Sequence, residues 1–509
     1  MLKLFKSPTS LILLLLFILI VRLISLPMYP LMDTTEARYA EMSRKILELK
    51  EWIVIYYYDY NTPFWGKPPL SFWSSSVTMW LFGINEFGAR LAPFIFTLLT
   101  IALFFLWDFR RKDGERYSLR PLACGIILFS SGVGFVASGA VMTDASLLFC
   151  VAVCMICFWR SVVYQSGDSA DNSSDFANDS SELKKRKIFG YGFFVGLGLG
   201  LLAKGPLIFV LVGLPIFVFI TVAKISGGKF LRLKNLPFIS GSILTLLIAA
   251  PWYVAFEVKS SGFLEYFIIG EHIKRFLVSG WEGDLYGTAH SEPIGMIWWF
   301  FLIAFLPWSV IFICFLIAKS RFVKSQIRIK SLAFYENLYL LLWVFMPLIF
   351  MTFSRNILEA YTLPCAPALC ILCANFIFNA GGKIKNAIFF IPLVLMMIVS
   401  VFLTTGKLDE LVSHRHYKDV FTAWDGESRL VFIDSKPSFS AYFYAHKTSK
   451  NELKDEFIAF DSPQMSEILQ NNEKIAVAMK QDTFNAKKAY FSQWRQIISK
   501  KDWVLLKNY

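Results

Sequence analysis

Residues 33–73 read DTTEARYAEMSRKILELKEWIVIYYYDYNTPFWGKPPLSFW, a charged and aromatic stretch that follows directly on the hydrophobic run 11–24. Charges at this density do not enter hydrocarbon, so the stretch belongs at a membrane surface. The run before it reads as a retained first span rather than a cleaved leader, because no small-x-small site follows and Pro27, Tyr29 and Pro30 lead straight into the loop. Beyond this stretch the chain of 509 residues is 56% hydrophobic and only 17% charged. About 20 apolar residues of helix cross a bilayer, and eleven such spans are read at 9–28, 86–107, 120–141, 145–163, 188–203, 206–223, 237–257, 293–318, 335–353, 357–379 and 387–404. The fold class expected is an all-α polytopic membrane protein of about 11 to 13 transmembrane helices.

The formal charge of +13 does not point to nucleic acid, because the excess sits in short loops. Lys184, Lys185, Arg186 and Lys187 form one cluster, and Lys319, Arg321, Lys324, Arg328 and Lys330 another. With the N-terminus inside, the loops at 108–119, 164–187, 224–236, 319–334 and 380–386 all fall on the cytoplasmic side, and each is rich in Lys or Arg. The Ser, Asp and Asn tract at 166–182 reads as a flexible cytoplasmic linker. All eight cysteines lie inside apolar runs, where they pack as small polarizable residues rather than staple exposed loops.

These runs organise residues 1–404 as a transmembrane domain, with a first periplasmic loop at 29–85 carrying interfacial helices and a second large one at 258–292. After Thr404 the composition becomes that of a soluble unit. Short apolar runs at 430–433, 457–460, 475–478 and 503–506 alternate with helix-like segments, so 405–509 is expected to be a small α/β domain on the periplasmic side.

The polar residues near span ends collect at one rim. Asp33, Glu36, Arg38, Lys67, Asp144, Lys204, His272, Arg355 and Tyr361 all fall at or beyond the outer ends of spans, where a carrier would need ionisable groups near the midplane. DTTEARYAEMSRKI is amphipathic at helical spacing. Ala40, Met42, Ile46 and Leu49 are offered to the bilayer and Glu36, Arg38, Glu41, Arg44 and Lys45 to water. Asp33 and Glu36 read either as a capping box or as a catalytic carboxylate pair beside a phosphate-facing Arg38. Lys67 precedes two prolines that open a helix at Leu70 and either snorkels or faces a phosphate. Asp144 reads as a helix cap or a site carboxylate, and Lys204 closes a helix before the Gly205-Pro206 turn. Glu271, His272, Glu282, Asp284, His290 and Glu292 lack a compact ligand spacing, so no metal is expected from them.

The order TEARYAE, GKPPLSFW, LFGINEFGARL, MTDASLLF, LLAKGP, PWYVAF, GEHIKRF and SRNILEAYTLP resembles the membrane glycosyltransferases that use polyprenyl-phosphate sugars: the lipid A aminoarabinose transferases and, more distantly, the protein O-mannosyltransferases. The likeness runs over about residues 10 to 380. It implies a C-type glycosyltransferase fold in a bacterial inner membrane with a periplasmic active site. It also implies catalytic carboxylates at Asp33 or Glu36 and at Asp144. Arg38, Lys67, Lys204, Arg355 and Tyr361 would then stand around the donor phosphate or the carboxylates. The implied partners are a polyprenyl-phosphate-linked sugar donor, membrane lipids and an envelope acceptor, lipid A first, with no nucleic acid. The alternatives are transfer to a protein hydroxyl and a non-catalytic carrier or flippase for the same lipid. In this family an Asp-Glu pair precedes the Arg-Tyr pair, whereas Thr35 and Glu36 stand here. Relatives that hold a divalent metal use a Glu just before the Lys-Pro turn with the loop histidine. Gly66 stands at that position, leaving His272 as the one candidate ligand and a metal as the one cofactor the resemblance brings.

Overall fold

The computed structural model describes residues 8–57, 61–108, 119–163, 180–227, 230–278, 280–287, 290–323, 331–379, 383–426, 428–434, 438–446, 457–470, 473–499 and 502–509. Most of the Ser-Asp-Asn tract and the basic residues 324–330 lie outside these. Among the described residues seven helices are long and apolar enough to cross a membrane: Glu86–Trp107, Asp144–Val162, Leu183–Lys204, Leu207–Ile225, Phe238–Lys259, Leu332–Thr352 and Glu359–Asn379. Three shorter apolar helices cover Thr9–Ser25, Leu119–Ser130 and Phe390–Thr404. The chain is a multi-pass membrane protein.

Two expected spans are not continuous. The run 120–141 breaks after Ser130, where Ser131 caps a new short helix, Gly132–Ala137, by accepting from the Gly134 amide. The run 293–318 is bent by 111° between Met296–Ala304 and Trp308–Ile317. Pro307 has no amide hydrogen to continue the ladder there.

The chain forms two compact units. One holds residues 1–23, 64–74 and 90–397. Its best-packed pair is Asp144–Val162 against Ser180–Lys204, and small residues make that approach possible. A Cβ on Gly196 would sit 2.7 Å from the Cys154 sulfur, and one on Gly192 would sit 2.8 Å from that of Cys157. The expected packing role of these cysteines is thus a glycine-facing one. Beside them Tyr339 stacks among Trp107, Phe158, Trp159 and Phe219 and donates its hydroxyl to the Met155 carbonyl at 2.8 Å.

The other unit holds residues 24–63, 75–89 and 398–509. Its sheet runs in the order β2-β1-β3-β5-β4, with β1 Arg429–Ile433, β2 Phe457–Ile458, β3 Ile475–Lys480, β4 Arg495–Ser499 and β5 Trp503–Lys507. β1 is parallel to β2 and β3, and β5 runs antiparallel between β3 and β4. Four of the five strands fall on the apolar runs read from the sequence; β4, RQIIS, is too polar to stand out.

In the same unit the helix Thr35–Leu49 does not lie with a charged face in water. Glu36, Glu41, Arg44 and Lys45 are buried along with Ala40, Met42 and Ile46. Burial of two of these charges is compensated by pairing: Arg44 bridges Glu41 at 2.7 Å and Glu48 at 2.9 Å. The helix Leu70–Phe82 is inside out at its C-terminal half, with Ser75, Ser76 and Thr78 buried and Trp80, Leu81 and Phe82 exposed, as suits a lipid-facing surface.

Asp33 is not a helix cap either. Thr34 is the N-cap residue, and it makes no side-chain cap bond. The Asp33 carboxylate instead accepts from the Ser438 and Ser440 hydroxyls and from the Ser440 amide at 3.1 Å, while Arg415 donates to the Asp33 carbonyl at 2.8 Å. Tyr444 adds a second clasp, donating to Glu86 at 3.1 Å and accepting from the Leu31 amide at 2.8 Å. Burial pushes the Asp33 carboxyl above its ordinary 3.8, against the opposing pull of Ser438, Ser440 and Arg415. A raised carboxyl contributes stability that is complete below pH 3.8 and is lost as pH rises through the folded value. Asp33→Asn should therefore match or exceed the wild type in thermal unfolding at pH 7. Asp33→Ala, which strands the Ser440 amide, should lose about 1–3 kcal/mol. A neutral result for Asp33→Ala would show that the clasp carries no stability.

Candidate active site

In the first unit, the two sequence motifs GKPPLSFW and GEHIKRF meet. Pro68 and Pro69 set the turn before the helix Leu70–Phe82, and Lys67 stands in the bend just ahead of them. Residues Tyr266–Lys274 form a π-helix, a rare geometry that concentrates at functional sites. From it the Glu271 carboxylate accepts from Lys67 Nζ at 2.8 Å and from Arg275 Nη1 at 2.9 Å, and Arg275 reaches on to Asp284 at 3.3 Å. Tyr266 donates to Glu271 at 3.3 Å. The turn is bolted down further by Trp65, whose amide donates to the Tyr286 hydroxyl and whose indole donates to Ser260, both at 2.9 Å.

Burial would push the Glu271 carboxyl up, but Lys67 and Arg275 more than reverse this and hold it at about 2. Arg275 is pushed higher still by Glu271, Tyr361 and Asp284 against the opposing effect of burial. Both therefore stay charged throughout the physiological range. Burial also pushes the Tyr266 hydroxyl up, so it remains a neutral donor.

His272 connects this cluster to a second one. Its Nδ1 lies 2.7 Å from the Phe267 carbonyl and its Nε2 3.2 Å from the Lys204 carbonyl, at the C-terminal end of the helix Ser180–Lys204. Gly205 permits this approach. It adopts φ +74°, and a Cβ there would sit 2.6 Å from Phe267 and 3.0 Å from the His272 ring. Burial lowers the His272 pKa against the pull of its two carbonyl neighbours. On the other side of the turn Lys204 donates to Asp144 at 2.6 Å, both side chains being 8% exposed, and its ammonium lies 4.4 Å above the Tyr361 ring. Asp144 is the first residue of its helix, behind the N-cap Thr143, and its carboxylate is spent on the lysine rather than on a cap.

The sequence-predicted Lys67, Asp144, Lys204, His272 and Tyr361 are thus joined through two residues that sequence reasoning did not rank, Glu271 and Arg275. Opposite charges four apart within GEHIKRF are the signal that could have found them. Arg355 stands apart from these contacts, exposed, with Nε donating to the Glu292 carbonyl at 3.1 Å. In the other unit, Glu36 accepts from the Met32 amide at 3.1 Å and Arg38 lies over the rings of Tyr39 and Phe439. The first-unit residues do not suit a metal ion: Gly66 supplies no ligand, Glu271 is held by two cations, and both His272 nitrogens face carbonyls. Among the described residues no three His, Cys, Asp or Glu side chains group to hold one.

The architecture is shared with solved structures. ArnT from Cupriavidus metallidurans, crystallised with undecaprenyl phosphate, superposes with a TM-score of 0.70 at 19% identity over 99% of both chains. The oligosaccharyltransferase of Archaeoglobus fulgidus follows with a TM-score of 0.50 at 13% identity, over 96% of this chain and 71% of its own. The C-type glycosyltransferase fold expected from the sequence is the fold observed. Among curated proteins, the undecaprenyl phosphate-alpha-4-amino-4-deoxy-L-arabinose arabinosyl transferase of Wigglesworthia glossinidia brevipalpis is 28% identical over 403 residues, 79% of this chain and 64% of the relative. The corresponding transferase 1 of Pseudomonas fluorescens is 27% identical over 354 residues, 69% of this chain and 56% of the relative. The chain therefore spans less than two thirds of the length of these relatives. The family model described as dolichyl-phosphate-mannose-protein mannosyltransferase matches residues 9–267, more than half of the 509, and the chain belongs to that family.

Proposed function

We propose that this protein is an inner-membrane glycosyltransferase that moves a sugar from a polyprenyl-phosphate donor to an envelope acceptor, with 4-amino-4-deoxy-arabinose as the sugar and lipid A as the acceptor. The observation that carries the proposal is the linkage of Lys67, Arg275 and Lys204 through Glu271, His272 and Asp144 in a chain of this family. Transfer breaks the bond between the anomeric carbon and the phosphate oxygen, and the electron pair leaves with the phosphate. Cations fixed in advance stabilise that developing charge without reorganising. Lys67 and Arg275 are so fixed by a shared carboxylate, and Lys204 by Asp144. To the Asp144 carboxylate we assign the offsetting of positive character on the sugar. An ionised lipid A phosphate attacks the anomeric carbon without needing a base, whereas a protein hydroxyl needs one.

Support for the sugar and acceptor comes from the named arabinosyl transferases and from the fold shared with ArnT. The family description instead favours a protein acceptor, and lipid A mass spectra distinguish the two. Of the first-loop carboxylates Glu36 is the better candidate for the family's role, since Asp33 is committed to Ser438 and Ser440. The active face is assigned to the periplasm, with the N-terminus cytoplasmic, from the basic loops.

Lys67→Ala and Arg275→Ala should each lower transfer by about 10²–10³-fold while leaving the protein inserted, read as loss of the aminopentose increment on lipid A. Full activity of both would remove the cluster from the reaction. Glu271 at about 2 contributes stability present above pH 4.5 and lost only as pH falls through its folded value. A wild-type rate break near neutral, about pH 5 to 8, should therefore persist in Glu271→Gln, moved to lower pH where it belongs to His272, whose pKa Glu271 raises; disappearance of the break would assign it to Glu271 instead.

Asp144 and Lys204 call for a mutant cycle. Removing one partner of a buried pair costs about 3–5 kcal/mol, and removing both far less. Asp144→Leu with Lys204→Met should recover thermal stability relative to either single variant but remain inactive. Recovery of transfer by the double variant would reduce the pair to a structural role.

A further inference from the structure

At the end of the first unit remote from the candidate site, three segments lock together into a basic platform. The helix Asp144–Val162 closes at residues 161–163, whose carbonyls need donors from outside the helix. Asn235 Nδ2 donates to the Ser161 carbonyl at 3.0 Å, the Arg232 amide to that of Val162 at 2.9 Å and Arg186 Nη1 to that of Val163 at 2.9 Å. Arg160 lies over the Phe189 ring, 5.0 Å from its centroid. The loop 231–237 crosses the helix Ser180–Lys204 at Gly190, where a Cβ would sit 2.7 Å from Pro237 and 2.9 Å from the Asn235 carbonyl. Lys187 stands one turn before that crossing, Lys184 one turn before Lys187, and Lys234 on the loop itself. Lys187 and Lys204 lie 17 residues apart on one helix, roughly 26 Å at 1.5 Å per residue. The platform therefore belongs to the leaflet opposite the candidate site.

Arg160 and Arg186 are spent on holding the platform together, but Lys184, Lys187 and Lys234 are exposed, and among the described residues none of these three pairs with a carboxylate. No Asp or Glu occurs in 157–163, 183–203 or 230–245, although Lys or Arg occurs in all three. The lysines also stand at a lipid edge. Ile188, next to Lys187, is 67% exposed, and Phe238 and Ile239, shortly after Lys234, are 55% and 83% exposed. The Tyr191 and Ser240 hydroxyls meet at 2.9 Å beside them, and exposed tyrosines mark the headgroup level of a membrane. A soluble acidic partner would leave those apolar side chains in water. A zwitterionic headgroup would bring an ammonium that no carboxylate of these segments receives. A lipid whose phosphodiester is its one charge supplies anion and hydrocarbon together. We propose that this platform binds acidic glycerophospholipid of the leaflet opposite the candidate site, the headgroup phosphate accepting from Lys184, Lys187 and Lys234.

The test uses the full-length protein in nanodiscs and in mixed micelles, with phosphatidylglycerol, phosphatidylethanolamine and phosphatidylcholine of identical acyl chains. Lipid retention is read by native mass spectrometry. Phosphatidylglycerol should be retained about tenfold over the other two, and the preference should fall as salt rises from about 0.1 M to about 1 M, where the screening length shrinks to about 3 Å. Lys184→Gln, Lys187→Gln and Lys234→Gln combined should bring it below about twofold and leave the unfolding temperature in phosphatidylcholine unchanged. Lys184→Arg, Lys187→Arg and Lys234→Arg combined should keep it. Because loop lysines also guide insertion, Lys234→Gln alone is tested in parallel and should lower the preference about twofold to fivefold. Equal retention of the three lipids by the wild type overturns the assignment, and would mean that the upstream Asp168, Asp171, Asp175, Asp179 and Glu182 neutralise the lysines or that they serve insertion alone. A preference untouched by the neutral variants overturns it as well. Displacement of the lipid by an equal concentration of soluble glycerophosphoglycerol would show a free solute as the ligand and overturn it equally.

Discussion

The Glu271 carboxylate, held between Lys67 and Arg275, is the interaction on which the candidate site depends. It ties a proline-fixed turn near the first spans to a π-helix some two hundred residues later, and neither segment would hold its charged residue in place alone. Lysine and arginine side chains lose considerable rotamer freedom when fixed. Here one buried anion fixes both, and Trp65, anchored by Tyr286 and Ser260, fixes the backbone beneath the lysine. A carboxylate that also fully satisfies its hydrogen-bonding capacity tolerates burial that an unpaired one would not.

The wider fold serves this joint through small residues. Gly205 ends the helix that delivers Lys204 and leaves the space into which Phe267 and His272 pack. Gly192 and Gly196 let that helix approach Asp144–Val162 closely enough for Lys204 to reach Asp144 at 2.6 Å. The glycines and the cysteines opposite them act as spacers that set how near the two backbones come.

Much of this was legible in the sequence because periodicity and length are local signals. Helices of the expected length stand at Asp144–Val162, Leu207–Ile225, Phe238–Lys259 and Leu332–Thr352 within a few residues of the runs read for them, and three buried strands of the sheet coincide with apolar runs. The breaks at Ser130 and Pro307 were not, since a run of apolar residues is equally consistent with a straight helix and with two bent ones. Partners remote in sequence were least legible of all. Asp33 finds Ser438 and Ser440 across more than four hundred residues, and an Asp ahead of a helix looks the same whether it caps the helix or leaves it. The buried charges of Thr35–Leu49 were misplaced for a related reason: an amphipathic pattern gives a face but not its neighbour, and Arg44 with Glu41 and Glu48 makes that face neutral enough to bury.

The charge balance of the site bears on the kind of ligand that suits it. Lys67 and Arg275 are matched by Glu271 and Asp284, and Lys204 by Asp144, so these six residues carry three charges of each sign. Three unmatched cations in so small a volume would repel one another and lose their hydration at high cost. Matched ones are stable in the empty site and keep hydrogen-bonding capacity, since an ammonium has three donors and a guanidinium five. A phosphate that arrives with its own counter-charge, as a lipid-linked aminosugar does, then exchanges partners within a neutral set instead of adding net charge to it. Phosphate alone gains less, because it must face Glu271 and Asp144 without a cation of its own. The balance therefore favours a ligand of balanced charge over a bare phosphate.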